Sequence, residues 1–383
     1  MSRSDILQWL KHGAKIAGVN GAVFLALFVL VELGLHLKSA DQNPLLGPPF
    51  VKSAIRVHVP VYSHSLAANF DGDDQWGGNR YHIRTNDLGF KDALNREARL
   101  KSDRRRVLFI GDSFTEGVAL PYEQTFVGRF AAAFPDIDVL NAGVSSYAPS
   151  VYFMKIKYLL DAGLQFDEVI VYVDISDVQD EAIYYRYGPD GKLEWTNFEK
   201  ECPSPEATLV IEPSWWARPS YILEYLEKDR IMRRAIKDVR RLSGAELVKA
   251  GMIYGPDRDR GSWTYDPRAK CYGAMGIEGG VAKAIENMDR LHTLLSARGI
   301  PLSVGVYPWP QQLLYDQVNS RQAQIWRDWC AGKCKKFFDH FPVFFAYKNA
   351  HLNFLQDLFI WTDVHYNERG NDLLAQDLIA NYR

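Results

Sequence analysis

Two short stretches of this chain hold residues that could do chemistry together. In the first, Gly111-Asp112-Ser113 follows directly on the apolar run Val107-Leu108-Phe109-Ile110. Such a run suits a buried strand. In an open α/β sheet, ligands bind beyond the carboxyl ends of the strands, so the serine stands where a substrate would meet the fold. A glycine there lets the chain turn sharply, and a following helix can aim its N-terminus at developing negative charge. The second stretch is Trp361-Thr362-Asp363-Val364-His365-Tyr366-Asn367, just ahead of a last helix. A serine hydroxyl is a weak nucleophile until a base removes its proton. A histidine oriented by a carboxylate is the usual base, because the acid fixes the tautomer and stabilises the imidazolium. Asp363 stands two residues before His365, close enough to serve the same imidazole from a loop. Each stretch alone also has a plainer reading: Ser113 as a helix cap, and His365 as a surface residue with Asp363 or Asn367 capping the helix.

Taken together, the two stretches resemble the SGNH/GDSL hydrolases. That family carries Gly-Asp-Ser after the first strand of a flavodoxin-like sheet, and Arg105–Thr115 (RRVLFIGDSFT) fits that block. Its second block supplies a backbone glycine N–H to an oxyanion hole, and Asn141-Ala142-Gly143 matches it. Its fifth block, an Asp and a His near the C-terminus, falls on Asp363 and His365. The resemblance covers residues 105–177 and 281–383. It implies a catalytic set of Ser113, Asp363 and His365, an oxyanion held by Ser113, Gly143 and Ser176, and no metal or organic cofactor.

The chain departs from the family pattern in two places. The third block normally ends Gly-x-Asn-Asp, whereas here Asp174-Ile175-Ser176-Asp177 puts Ser176 at the asparagine's position. A hydroxyl still donates one hydrogen bond, but its rotor is less fixed than an amide. The acid and base are also spaced Asp-x-His rather than Asp-x-x-His. That spacing is similar to the branch with alginate-type O-acetyltransferases and other polysaccharide-modifying SGNH proteins, which implies cell-envelope sugars as substrates. The expected activity is a serine-dependent O-acyl, above all O-acetyl, esterase or acetyltransferase acting on a cell-envelope or exported carbohydrate. The rival is a non-catalytic SGNH-fold polysaccharide-binding or scaffolding subunit of a membrane acyltransferase system, docking a membrane-bound O-acyltransferase. The serine at position 176 favours the rival; the intact Ser113, Asp363 and His365 oppose it.

The elements that must position these residues alternate. Strands are expected at Val107–Ile110, Asp138–Leu140, Glu168–Val173 and Pro301–Tyr307, and helices at Tyr122–Phe134, Ser150–Ala162, Val281–Arg298, Ser320–Cys330 and Asn367–Asn381. Alternation of this kind argues for an α/β fold, a parallel sheet with helices on both faces. Residues 178–280 break the alternation and read as an aromatic-rich insertion holding Tyr184, Tyr185, Tyr187, Trp195, Trp215, Trp216, Trp263 and Tyr265. Those rings pack the insertion or stack on sugar. A basic stretch, Tyr221–Leu242, reads as a solvated helix face or as one lying against anionic lipid or polysaccharide.

Composition is that of an ordinary globular protein: of 383 residues, 47% are hydrophobic and 24% charged. The formal charge of −2 gives no reason to expect nucleic acid as a partner. Residues 16–37 are mostly apolar and long enough for a transmembrane helix. Arg3, Lys11 and Lys15 precede them, so residues 1–15 are expected in the cytoplasm and the remainder outside, as a single-pass inner-membrane protein with a periplasmic domain. A cleaved signal peptide is the alternative, but Leu37-Lys38-Ser39-Ala40 puts a lysine where a small residue belongs. A buried helix of a soluble protein is a third reading. Residues 38–104 then form a linker and N-terminal extension, irregular or in short strands, and 105–383 the SGNH domain. Asp71, Asp73 and Asp74 lack the full register of a calcium loop. Cys330 with Cys334, and Cys202 with Cys271, are possible pairs in an oxidising compartment, with connectivity left open.

Overall fold

The computed structural model describes residues 3–39, 55–76, 79–196, 214–216, 220, 222–223, 226–227, 230, 260–360 and 363–382. The chain forms two compact units, Met1–Lys52 with Thr208–Leu242, and Ser53–Ala207 with Ser243–Arg383. In the first, α1 (Arg3–Ser39) is one continuous helix whose segment His12–Gly34 is long and apolar enough to cross a bilayer. A carboxylate in such a segment needs partners. Glu32 has them: its Oε1 accepts from the Ile222 N–H at 2.9 Å and from the Ser220 hydroxyl. Most of the basic stretch Tyr221–Leu242 lies outside the described residues.

The second unit opens with a hairpin, β1 (Arg56–Val59) and β2 (Ser63–Leu66). Then β3 (Asp71–Trp76) pairs antiparallel with β4 (Asn79–Thr85), and β4 antiparallel with β5 (Lys91–Asp92). Tyr81, Ile83 and Thr85 alternate inward along β4, the period of a half-buried strand. Asp71-Gly72, a dipeptide common at turns, lies inside β3, with the Phe70 ring 3.0 Å from where a Cβ at position 72 would be.

The α/β alternation follows. β6 (Arg106–Ile110) leads into the short α2 (Ser113–Glu116). A 3₁₀ turn at Tyr122–Gln124 precedes α3 (Phe126–Ala133), and β7 (Asp138–Asn141) precedes α4 (Pro149–Asp161). The expected single helix over 122–134 is divided because the Thr125 hydroxyl caps α3 at the Gly128 N–H. β8 (Glu168–Tyr172) is followed by α5 (Asp177–Ile183) and by the hairpin β9 (Tyr185–Tyr187) and β10 (Leu193–Trp195). The chain resumes with α6 (Gly276–Ser296), β11 (Leu302–Val306), α7 (Pro310–Tyr315), α8 (Arg321–Cys330), β12 (Phe337–Asp339), α9 (Phe341–Ala350), α10 (Phe354–Leu358) and α11 (Glu368–Tyr382).

One eight-stranded sheet results, in the order β12-β11-β8-β6-β7-β5-β4-β3. Its parallel part, β7-β6-β8-β11-β12, is the flavodoxin-like order, which reverses direction of travel between β6 and β8. The expected parallel sheet with helices on both faces therefore forms. Leu108 and Ile110 face a core shared with Val151 and Ile156 of α4 and Ala284, Met288 and Leu291 of α6. Phe109 points the other way, against Phe126 and Phe130 of α3. On the far edge β3–β5 continue the sheet, so the extension completes the structure that carries Ser113. Cys330 and Cys334 are joined by a disulfide, and Cys271 is disulfide-bonded; Cys202 lies outside the described residues.

The extension also grips the serine-bearing helix. The Arg56 guanidinium of β1 donates from Nη1 and Nη2 to the two carboxylate oxygens of Glu116, at 2.8 and 2.7 Å. Glu116 is fully buried; burial works to raise its carboxyl, yet Arg56 and the Ser145 N–H hold it below the usual range. Removing one member of a buried pair leaves an uncompensated charge, at a cost of about 3–5 kcal/mol. Arg56→Met is accordingly expected to lower the unfolding free energy by about 3 kcal/mol or more, measured by urea denaturation at pH 7.

Candidate active site

Ser113 begins α2 at the carboxyl end of β6, beside the point where the sheet order reverses. Asp112 caps that helix, its Oδ1 accepting from the Phe114 N–H at 3.0 Å. The two glycines of the matching motifs are there for space. A Cβ at Gly111 would lie 2.9 Å from the Tyr172 carbonyl oxygen and closer still to Thr115, and one at Gly143 would lie 2.7 Å from Thr115 Cγ2 and 2.9 Å from the Glu116 nitrogen.

The loop between α10 and α11 brings the second stretch back to this helix. Tyr366 donates its hydroxyl to the Pro308 carbonyl at 2.6 Å, and Asn367 donates to the carbonyls of Asp357 and Phe359. Asn367 Oδ1 accepts from the N–H groups of Arg369 and Gly370, so it does cap the last helix. His365 is nevertheless only 7% exposed and Ser113 6%. His365 Nε2 lies 2.7 Å from Ser113 Oγ, 252 residues away in sequence, and His365 Nδ1 lies 2.5 Å from Asp363 Oδ1. The structure thus brings Ser113, His365 and Asp363 into one hydrogen-bonded chain. Burial works to raise the Asp363 carboxyl. The His365 imidazole beside it, hydrogen bonds from the His365 ring and backbone, and one from Trp76 overcome that and hold it down to about 2.

Trp76 is the partner that sequence reasoning missed. Its Nε1–H donates to Asp363 Oδ2 at 2.8 Å, across 287 residues, and its ring meets the imidazole edge-on with centroids 5.1 Å apart. Nothing in the local sequence pointed to it: Asp71-Gly72-Asp73-Asp74-Gln75-Trp76 shows no apolar alternation, and spacing does not say where the end of the strand lands. Phe114 packs on the imidazole as well, centroid to centroid 4.7 Å.

The expected oxyanion donors are placed unequally. Ser113 N–H is the first of α2 and has no partner within that helix. Gly143 N–H donates to Asn141 Oδ1 at 3.1 Å. The loop beyond it is braced from three sides: Glu116 accepts from the Ser145 N–H at 2.7 Å, His64 Nε2 contacts the Ser145 carbonyl at 2.8 Å, and the Tyr185 hydroxyl donates to the Ser146 carbonyl. Burial pushes the His64 imidazole down to about 4, so it is neutral at pH 7 and donates from Nε2. Ser146 sits at φ 65°, a costly conformation for a residue with a Cβ.

Ser176 follows β8 in a loop that buried indoles hold. Asp174 accepts from the Ser176 N–H at 2.7 Å and from Trp309 Nε1 at 2.7 Å, and the Ile175 carbonyl accepts from Trp263 Nε1 at 2.8 Å. The Ser176 side chain makes no capping hydrogen bond to α5. Asp71 and Asp73 pair across the hairpin with Arg84, Arg80 and His82.

A second carboxyl faces the serine oxygen: Asp112 Oδ2 lies 3.1 Å from Ser113 Oγ, while Asp112 Oδ1 also accepts from the Tyr307 hydroxyl at 3.1 Å. A hydroxyl has one proton. Given to His365, it leaves Asp112 to face the oxygen as a neutral acid, the form its surroundings favour. Burial, with Asp174 nearby, pushes the Asp112 carboxyl up to about 8.

No protein-family model and no curated protein matches the chain. Solved structures similar to it include a catalytic mutant of an acetylxylan esterase from Geobacillus stearothermophilus, 11% identical, covering 74% of this chain and 95% of that one at a TM-score of 0.41. A member of the lipolytic protein G-D-S-L family from Veillonella parvula is 13% identical over 72% of this chain and 97% of its own, at 0.35. The SGNH-hydrolase family esterase AlinE4 is 16% identical over 74% and 96%, at 0.33. At such scores the likeness carries no argument about activity, and the fold rests on the strand order itself.

Asp112 makes stability depend on pH in a stated direction. The folded protein keeps a proton that an unfolded Asp loses near pH 4, so between about pH 4 and 8 the unfolded state binds fewer protons and stability falls as pH rises. Asp112→Asn has no such proton to lose. Urea unfolding at pH 5 and pH 8 is expected to show a smaller loss of stability in the variant than in the wild type.

Proposed function

We propose that this chain is a serine-dependent O-acyl esterase or acyltransferase, acting most readily on acetyl esters. The hydrogen-bonded chain from Ser113 Oγ through His365 to Asp363 is the single observation that carries the reading. As substrate binds, Ser113 Oγ attacks the acyl carbonyl carbon and its proton passes to His365 Nε2. Asp363 holds the Nδ1–H tautomer and stabilises the imidazolium. The tetrahedral oxyanion is held by the Ser113 N–H and the Ser176 hydroxyl; Gly143 N–H serves it only by sharing or leaving Asn141 Oδ1. Collapse breaks the ester bond, the leaving alkoxide takes the proton from His365, and acyl-Ser113 remains. Water or a sugar hydroxyl then gives its proton to His365 and attacks the acyl carbon; collapse breaks the acyl–Oγ bond, Ser113 Oγ takes the proton back from His365, and the free acid or the new ester leaves. No step requires a metal or an organic cofactor.

A cell-envelope or exported carbohydrate as the acyl carrier is supported by the Asp-x-His spacing and by an apolar helix preceded by Arg3, Lys11 and Lys15. That charge pattern favours a cytoplasmic N-terminus and a catalytic unit on the opposite side of the membrane, the periplasm. The engaged Gly143 N–H and the serine at 176 favour a second reading, a polysaccharide-binding or scaffolding subunit that partners a membrane-bound O-acyltransferase.

Labelling with a fluorophosphonate separates the two. The wild-type protein is expected to take up the probe and to hydrolyse p-nitrophenyl acetate. Ser113→Ala is expected to lose both while its unfolding midpoint barely moves. A wild-type protein that does neither is a scaffold.

Ser176→Ala tests the oxyanion role. With no cap to lose, the variant is expected to keep its stability and to drop in kcat by about 10²–10³, the cost of one oxyanion donor, with far less change in KM. An unchanged kcat removes Ser176 from the hole.

A further inference from the structure

We infer that Trp76, carried to the site by the edge hairpin β3–β4, is a positioning residue that holds the Asp363 carboxylate in register with His365. The inference deepens the esterase reading above and rests on it. Its geometry starts with how the two carboxylate oxygens are divided. Oδ1 accepts from the His365 ring at 2.5 Å and from the His365 backbone N–H at 3.1 Å. Oδ2 accepts from the Trp76 indole at 2.8 Å.

An acid two residues from its histidine sits on a loop and can turn about its side-chain bonds. Two bonds to one oxygen fix that oxygen but leave the carboxylate plane free to swing around it. A donor on the second oxygen fixes the plane. Indole suits this task because its N–H only donates and cannot compete with His365 for a proton. The ring does a second job. It stands edge-on to the imidazole, planes at 84°, while Phe114 lies against the same imidazole with its plane at 35°. The imidazole is therefore in contact with two aromatic side chains, one from the edge hairpin and one from the helix of Ser113.

The hairpin has the features such delivery needs. Along β3 the residues Gly72, Asp74 and Trp76 are half-buried, while Asp71, Asp73 and Gln75 are exposed. Asp74 on the inner side accepts from the Tyr81 hydroxyl at 3.0 Å, which ties β3 to β4 beside the tip. β4 pairs with β5, and β5 with β7 at Lys91↔Asn141, next to Gly143. A strand route thus runs from the Gly143 turn to Trp76, so the hairpin tip is registered against the same sheet that holds Ser113.

The orientation matters most when the imidazolium forms, so the loss should appear in kcat rather than KM. Trp76→Phe keeps a ring and removes the donor. Its kcat for p-nitrophenyl acetate is expected to fall roughly tenfold to a hundredfold, the size of one hydrogen bond to a charged acceptor, with little change in KM or unfolding midpoint. Trp76→Leu, also without the donor, is expected to lose at least as much. The decisive measurement is the cycle with Asp363→Asn, read as the rate of fluorophosphonate labelling. Acting through Asp363, Trp76→Phe should cost little more once Asp363 is already changed. Additive losses overturn the inference, because they assign Trp76 to packing alone. So does an unchanged kcat in Trp76→Phe beside an active wild type. A wild type that neither labels nor turns over ester overturns the esterase reading itself, and this role with it.

Discussion

A serine hydroxyl releases its proton only to a base already within hydrogen-bond reach, and in this chain the imidazole within reach of Ser113 Oγ comes from 252 residues away. Much of the second unit can be understood from that 2.7 Å contact. Ser113 is held by a buried strand in the middle of the sheet and by a short helix that Arg56 grips through Glu116. His365 is held by a loop that Tyr366 and Asn367 tie down on either side of the β11 end and the last helix. Neither anchor is itself reactive. Each converts the stiffness of the sheet into the fixed distance that proton transfer needs.

The carboxyl groups around the serine show how the same side chain is given opposite characters. Asp363 has a cation-forming partner and hydrogen-bond donors on both oxygens, and it stays ionised down to about pH 2. Asp112, buried beside Asp174, is pushed well above the usual carboxylate range and towards its neutral form. One acid can stabilise an imidazolium; the other presents a neutral group to Ser113 Oγ. Environments that push like groups apart in this way are a feature of sites that move protons. The buried donors Tyr307, Trp309 and Tyr152 make the arrangement tenable, since a buried carboxyl without partners costs several kcal/mol. Tyr307 serves Asp112, Trp309 serves Asp174, and Tyr152 serves Asp177.

The segments outside the α/β alternation carry more of the site than their composition suggests. The extension supplies Arg56 to the helix of Ser113, His64 to the loop after Gly143, and Trp76 to Asp363. The aromatic region after β8 supplies Tyr185 to the Ser146 carbonyl and Trp263 to the loop of Ser176. In each case a polar edge of an aromatic or guanidinium side chain ends on a backbone or carboxylate oxygen close to the Ser113–His365–Asp363 chain. The site is assembled from the sheet outward, and its second layer comes from chain segments with weak periodicity.

That division explains what could be read from the amino acids alone. The strands β6, β7, β8 and β11 announce themselves as short apolar runs, because burial on both faces demands them, and the helices between them show a one-sided stripe. Ser113, Asp363 and His365 are visible because a turn after a buried strand and an Asp-x-His loop are local patterns. Gly143 and Ser176 could be named, but not the state of their donors: the Asn141 bond to Gly143 and the missing cap at Ser176 depend on side-chain rotamers. β3 to β5 could be read only as irregular structure or short strands, because an edge strand with one wet face needs only every second residue to be apolar, and β3 offers Gly, Asp and Trp there. Trp76 and Asp112 lay beyond reach for the same reason. A hydrogen bond across 287 residues, or a carboxyl neutral by burial, leaves no trace in sequence spacing. The sequence determined which residues could react and the sheet that would carry them, since both follow from local periodicity and side-chain chemistry. Only the tertiary structure decided which partners hold them, because those contacts exist once the sheet order has brought distant strand ends to one edge.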